Sequence, residues 1–223
     1  MNKNLHEANR KRWDADSEKW ANSADSRGIW QRCPSEPQLV LSAKELHYLG
    51  DIHSKRAAVL GSGHNQVVFA LAGLGASVTS VDFSQNQLDV AELRARQLDL
   101  SVSFIRADVT DLSAIDSGAF DIVYTGGHVA VWVSDIDAYY AEAARILRPN
   151  GLFMIAEYHP FRRIWKEEQE TLTIESSYFE RGPFEYEIMS HRQLKVVAAP
   201  NEVIRLFVGP QGSPDHAVRP GGL

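Results

Sequence analysis

From residue 57 to residue 156, short apolar runs of strand length alternate with stretches of helical periodicity. This rhythm limits what the chain can fold into. The first run is Ala57–Leu60, which ends at Gly61-Ser62-Gly63. Val67, Val68, Leu71 and Leu74 then recur at helical spacing, and Gly75 is a natural helix stop. Ser77–Val81 is the second run and ends at Asp82. Ser84 and Gln87 have the spacing of a capping box for the helix that carries Leu88, Ala91, Ala95 and Leu98. Val102–Ile105 stops just before Asp108, and Phe120–Tyr124 leads into Thr125-Gly126-Gly127. Ser134 is placed to cap a helix bearing Ile136, Tyr140, Ala143 and Leu147. Pro149-Asn150-Gly151 reads as a turn before a fifth strand, Leu152–Ala156.

Strands separated by helices of this length build βαβ units. The predicted fold class is therefore α/β, a doubly wound, mostly parallel sheet with helices on both faces. Right-handed crossovers put every strand's carboxyl end on one edge, and ligands of such sheets bind outside that edge. Gly61–Asn65, Asp82, Asp108, Thr125–His128 and Glu157–His159 all fall there. A glycine turn lets backbone approach a ligand closely, and the helix behind it offers free N–H groups. Read alone, it is equally an ordinary tight turn. Asp82, twenty-one residues after Gly61, can accept from both hydroxyls of a ribose or simply cap a helix. Asp108 can accept from an adenine amino group or merely shape a turn. A dinucleotide fingerprint needs a small residue at position 66, where this chain has Gln66, which counts against NAD.

Residues 57–156 resemble the class I, Rossmann-like S-adenosylmethionine (SAM)-dependent methyltransferases. The likeness rests on Val59-Leu60-Gly61-Ser62-Gly63-His64-Asn65, Val81-Asp82-Phe83-Ser84, Arg106-Ala107-Asp108-Val109, and FDIVYTGGHVAVWV followed by a helix and ILRPNGLFMI. The resemblance implies SAM as cofactor and S-adenosyl-L-homocysteine as product. It places Gly61, Ser62, Gly63 and Asn65 at the methionine end and Asp82 with Phe83 at the ribose. Asp108 and Val109 would meet the adenine, with Thr125 and Gly126 beside the sulfonium. The chain departs from the family pattern at Val59, where an acidic residue is usual, and at Asn65, where a third glycine is usual. It departs again over residues 161–223, where Lys195–Ala198 and Val203–Val208 suit the family's closing strand pair but no helix is evident between strands.

Methyl transfer from a sulfonium needs alignment and a dry pocket more than it needs proton transfer. His128 and His159 are the candidate general bases, or polar pocket walls. Trp132, Glu157, Tyr158 and Arg162 are candidate substrate contacts. Trp132 equally suits core packing, and Arg162 with Arg163 equally suits a solvated basic run. Trp13, Trp20 and Trp30 suit an amino-terminal lid or the packing face of a covering helix, and Leu39, Leu41, Leu46 and Leu49 suggest a helix over 37–49. The expected organisation is one domain: a helical lid over 1–50, a SAM-binding core over 51–160, and a substrate-side segment with an atypical tail over 161–223.

The net charge is −6, with no dominant basic face, so nucleic acid is not an expected partner. Cys33 is the single cysteine, and His53, His64 and Glu157 lack ligand spacing, so no metal is expected. No apolar run approaches the ~20 residues of a membrane span, and the amino terminus lacks a signal-peptide core. These features point to a cytoplasmic protein without a membrane partner, a monomer or homodimer, acting on a small molecule. The competing readings are an NAD(P)-dependent oxidoreductase and a degenerate SAM-fold binding or assembly protein without turnover.

Overall fold

The computed structural model describes residues 3–63, 66–127, 129–159, 161, 171–174 and 202–208. Its centre is one sheet of six strands: β1 (Arg56–Leu60), β2 (Ser77–Asp82), β3 (Val102–Arg106), β4 (Phe120–Gly126), β5 (Leu147–Tyr158) and β6 (Glu202–Val208). They lie in the order β3-β2-β1-β4-β5-β6. The first five run parallel, and β6 pairs antiparallel with β5, from Leu152 opposite Val208 to Tyr158 opposite Glu202. The doubly wound, mostly parallel sheet expected from the sequence is thus present. β6 corresponds to the expected strand over Val203–Val208, whereas Lys195–Ala198 lies outside the described residues.

The helices are α1 (Lys3–Asp25), α2 (Ile29–Arg32), α3 (Ala43–Leu49), α4 (Gln66–Gly73), α5 (Gln85–Gln97) and α6 (Ile136–Ile146). Side-chain alternation along the central strands sorts them onto two faces. Ala57, Val59, Ile122, Tyr124 and Met154 join Val68, Phe69, Leu71 and Leu41 in one core layer. Ala58, Leu60, Val123 and Phe153 join Tyr139, Ala143 and Ile146 in the other. Val59, where the family's acidic residue would stand, is wholly buried in the first layer.

Four local expectations are corrected. The helix expected over 37–49 is a 3-10 turn, Pro37–Leu39, followed by α3. Ser42 starts α3 afresh by accepting from the Glu45 N–H, while Glu45 reaches back to the Ser42 N–H. Ser84 caps α5 through the Gln87 N–H, but Gln87 does not complete the box, because its amide donates to the Trp13 carbonyl instead. α6 is capped by Asp135, which accepts from Ala138 N–H, and not by Ser134, which is bonded to His6. β5 begins at Leu147, before Pro149. Asn150 bends it with a positive φ of 61°, and the register with β4 shifts there.

α1 is a highly charged helix laced by Arg10 with Glu7 and Asp14, and by Arg12 with Asp16. Its carboxyl end is pinned to α5. The buried Arg94 guanidinium donates to Ala21 O at 2.9 Å and to Asp25 Oδ1 at 2.8 Å, and lies 5.1 Å over the Trp30 ring. Trp30 Nε1 donates to the same Asp25 oxygen. Trp30 is therefore part of this pin, and of the sequence-designated tryptophans only Trp13 and Trp20 lie on α1.

Candidate functional site

The parallel strands deliver their carboxyl ends to one edge, and the residues there have distinct tasks. Gly61 leaves β1 with φ +62°, and a side chain built on it would meet both Val129 methyl carbons at 2.7 Å. The turn thus lies tightly against the loop after β4, which only glycine permits. Ser62 is buried and points back into β2, bonded to the Ser80 hydroxyl and the Val81 carbonyl. The Gly63 N–H donates to Asp82 Oδ2 at 2.8 Å, and the Ser84 N–H donates to Asp82 Oδ1 at 2.8 Å. Asp82 is only 7% exposed. Burial is the largest influence on its carboxyl, and with the neighbouring Asp14 charge it outweighs the backbone amide donors of Ser84, Gly63 and Phe83, lifting its pKa to about 6. Phe83 is half-buried, and its carbonyl accepts from Arg106 Nε.

Asp108 stands two residues past β3. Its Oδ1 accepts from both the N–H and the hydroxyl of Thr110, at 2.9 and 2.8 Å. Its Oδ2 lies 2.6 Å from His6 Nδ1 on α1. Val109 is buried in the second core layer. At the end of β4, the Thr125 side chain is fully buried and bonded to the Tyr139 hydroxyl, so only its backbone faces the edge. A side chain at Gly126 would come within 2.8 Å of the Tyr124 hydroxyl and 3.0 Å of the Ala156 carbonyl, so this crowded strand end needs glycine. Beneath it, Tyr124 donates to the buried Glu45 at 2.8 Å.

Of the candidate bases, His159 is exposed, and its Nδ1 accepts from the Phe161 N–H at 3.2 Å. His128 lies outside the described residues, as do Asn65 and Arg162. Glu157 accepts from the Ala130 N–H at 3.1 Å, which ties the end of β5 to the loop after β4. Tyr158 is the last residue of β5. Trp132 is half-buried and meets the Trp13 ring edge-on at 5.5 Å, while Trp13 stacks on Trp20 at 5.6 Å.

The edge is roofed by α1. Asp14 accepts from the Ser84 hydroxyl at 2.6 Å and the Asn86 N–H at 3.3 Å, beyond β2. His6 reaches Asp108, beyond β3. Asn9 donates to the Trp132 carbonyl at 3.0 Å, beyond β4. His6, Asn9 and Asp14 were not legible as site residues, because their partners lie 70 to 128 positions away in sequence. Among the described residues, no group of His, Cys, Asp and Glu could hold a metal ion, and no helix is long and apolar enough to cross a membrane.

These acceptors have the chemistry to meet the hydroxyl and amino donors of an adenosyl group. Asp82 and Asp108 place acceptors at neighbouring strand ends, and a glycine turn stands beside them. Residues 59–155 match the family model described as a methyltransferase domain. A ubiquinone biosynthesis O-methyltransferase of Bartonella tribocorum is 32% identical over 107 residues, covering 48% of this chain and 41% of that protein. The chain thus spans under half the length of that relative. In structure, a candidate S-adenosyl-L-methionine-dependent methyltransferase of Methanococcus maripaludis superposes with a TM-score of 0.54 at 18% identity, over 65% of this chain and 64% of that one. The Haemonchus contortus phosphoethanolamine N-methyltransferase 1 superposes with a TM-score of 0.57 at 19% identity, over 80% of this chain and 38% of that one. These two likenesses concern the fold. Over residues 59–155 the chain is thus similar to methyltransferase domains, and its sheet shares the fold of a SAM-dependent one.

Proposed function

We propose that the chain transfers a methyl group from SAM to a small-molecule acceptor with an oxygen, nitrogen or sulfur nucleophile. The observation that carries this reading is the convergence of Gly61–Gly63, Asp82 and Asp108 at three adjacent strand ends, with Gly63 and Asp82 joined directly. In this reading the Asp82 carboxylate holds the ribose hydroxyls, beside Phe83. Asp108 and Val109 hold the adenine. The backbone of Gly61, Ser62 and Gly63, with Asn65, holds the methionine portion, and the backbone of Thr125 and Gly126 lies beside the sulfur. SAM supplies an electrophilic methyl group and a neutral thioether leaving group. The protein's share is alignment and exclusion of water.

Trp132, Glu157, Tyr158 and Arg162 wall the acceptor side. His128 and His159 are the residues proposed to take a proton from a hydroxyl or ammonium acceptor. Residues 1–50 act as a lid, 51–160 as the cofactor core and 161–223 as the substrate-side segment. The protein works in the cytoplasm as a monomer or homodimer, without nucleic acid, membrane or metal. The domain match over 59–155 and the O-methyltransferase likeness support this choice over an NAD(P)-dependent oxidoreductase.

Calorimetry with S-adenosylhomocysteine, with NAD as comparison, tests the cofactor assignment. Saturable binding of S-adenosylhomocysteine alone is the expected result, and Asp82→Ala weakens it at least about tenfold, the worth of a hydrogen bond to a charged group. Binding of NAD alone would overturn the reading. Binding of SAM without methyl transfer to any of a broad metabolite panel would favour a non-catalytic binding protein.

A further inference from the structure

His6 engages the one Asp108 oxygen that the strand-end loop leaves for a ligand. Asp108 Oδ1 is held by Thr110, whereas Oδ2 faces the imidazole at 2.6 Å. The other ring nitrogen, Nε2, accepts from the Ser134 backbone N–H at 2.9 Å. A backbone N–H can only donate, so Nε2 carries no proton in this arrangement and Nδ1 carries it. His6 therefore offers Asp108 an N–H in the plane of an aromatic ring. An aminopurine would offer its acceptor the same kind of donor. Only 6% of His6 is exposed, so the imidazole fills this position rather than brushing past it.

The two ends of α1 are held differently. Near its carboxyl end, Arg94 grips Ala21 and Asp25 under the Trp30 ring, away from the strand ends. Near its amino end, polar pairs hold it: His6 with Asp108 and Ser134, Asn9 with the Trp132 carbonyl, and Asp14 with Ser84 and Asn86. A ligand at the strand ends can replace the amino-end pairs by supplying donors of its own, whereas the Arg94 contacts lie away from that edge, where such a ligand does not reach them.

We propose that α1 is a latch, hinged at Arg94, whose His6 competes with the adenine ring of the cofactor for Asp108. The proposal rests on the cofactor reading above and adds that binding must first free Asp108 from His6. A protein whose binding-competent form is a minor fraction binds more weakly by that fraction, and a change that releases the latch restores the affinity.

The test is S-adenosylhomocysteine titration of the full chain and of His6→Ala, with hydrogen exchange of the wild type as a second measurement. The latch predicts that His6→Ala binds roughly tenfold tighter, the fold-change given by a net ~1.4 kcal/mol contact. It also predicts that amides over residues 5–14 exchange faster when the wild type is saturated with S-adenosylhomocysteine, while residues 21–25 keep their protection. If the wild type binds but His6→Ala binds equally or more weakly, and residues 5–14 become more protected, the latch is refuted and His6 instead positions Asp108. If neither protein binds, the cofactor reading itself falls, and the latch with it. Should His6→Ala fail to fold, the wild-type exchange pattern decides.

Discussion

The Asp82 carboxylate accepts the Gly63 amide proton at 2.8 Å, which fastens the loop after β1 to the end of β2 through one buried acid. Burial, with help from the charge of Asp14, overcomes the three amide donors and lifts this carboxyl from 3.8 to about 6. The native protein therefore binds this proton more tightly than the unfolded chain does. The resulting stability is fully present below about pH 4, declines as pH rises through about 6, and is flat above that. Asp82→Asn carries no titration. The stability of the wild type relative to this variant should fall by roughly 2 to 3 kcal/mol between pH 4 and pH 7.5. Urea unfolding of both proteins at the two pH values measures it, and a constant difference would show that Asp82 titrates normally.

Gly61 and Val129 form a close contact of a different kind. Gly61→Ala meets a positive φ, costing about 1 kcal/mol, and a clash with the Val129 methyl groups costing about 1–3 kcal/mol more. Val129→Ala relieves the clash but not the backbone strain. The double variant should thus be at least about 1 kcal/mol more stable than the two single losses summed. Strict additivity in denaturant melts would mean that the two loops are not in contact.

Tyr124→Phe leaves the buried Glu45 without the phenolic donor it accepts from at 2.8 Å. The variant should lose about 1–3 kcal/mol. Because Glu45 also closes the capping box of α3, the loss should appear as faster hydrogen exchange over residues 43–49. An unchanged unfolding midpoint would contradict this.

Burial pushes the Cys33 thiol to about 12, and its sulfur donates toward the Gln66 carbonyl at 3.3 Å. Thiolate is the reactive form, so at pH 8 the native protein should resist a disulfide reagent and react promptly only in denaturant. Prompt labelling of the native chain would place Cys33 at the surface instead.

The strand ends were legible because they depend on local chemistry. Apolar runs followed by Gly61, Asp82 and Asp108 report both the strand and its stop within a few residues. A local signal fails where a distant partner overrides it. Ser134 has the residue type of a cap, but His6, 128 positions away, engages it, and the cap passes to Asp135. Gln87 has capping-box spacing, but Trp13 claims its side chain. Pro149-Asn150-Gly151 has turn composition, yet pairing with β4 carries strand through it by way of a register shift. At Thr125 the distant partner is Tyr139, which draws the hydroxyl into the core and leaves the backbone at the strand end. A helical lid over 1–50 is an expectation of the sequence, but nothing near His6 marks that residue as a partner of Asp108.

The attachment of α1 also bears on how the chain assembles. This helix is made before Ser84, Asp108 and Ser134, to which it fastens and which emerge 70 to 128 residues later. Its own ion pairs, Arg10 with Asp14 and Arg12 with Asp16, support helix before any partner exists. The roof of the site is therefore made before its attachment points and cannot dock fully until Ser134 has emerged, so the ligand edge stays open to solvent until then.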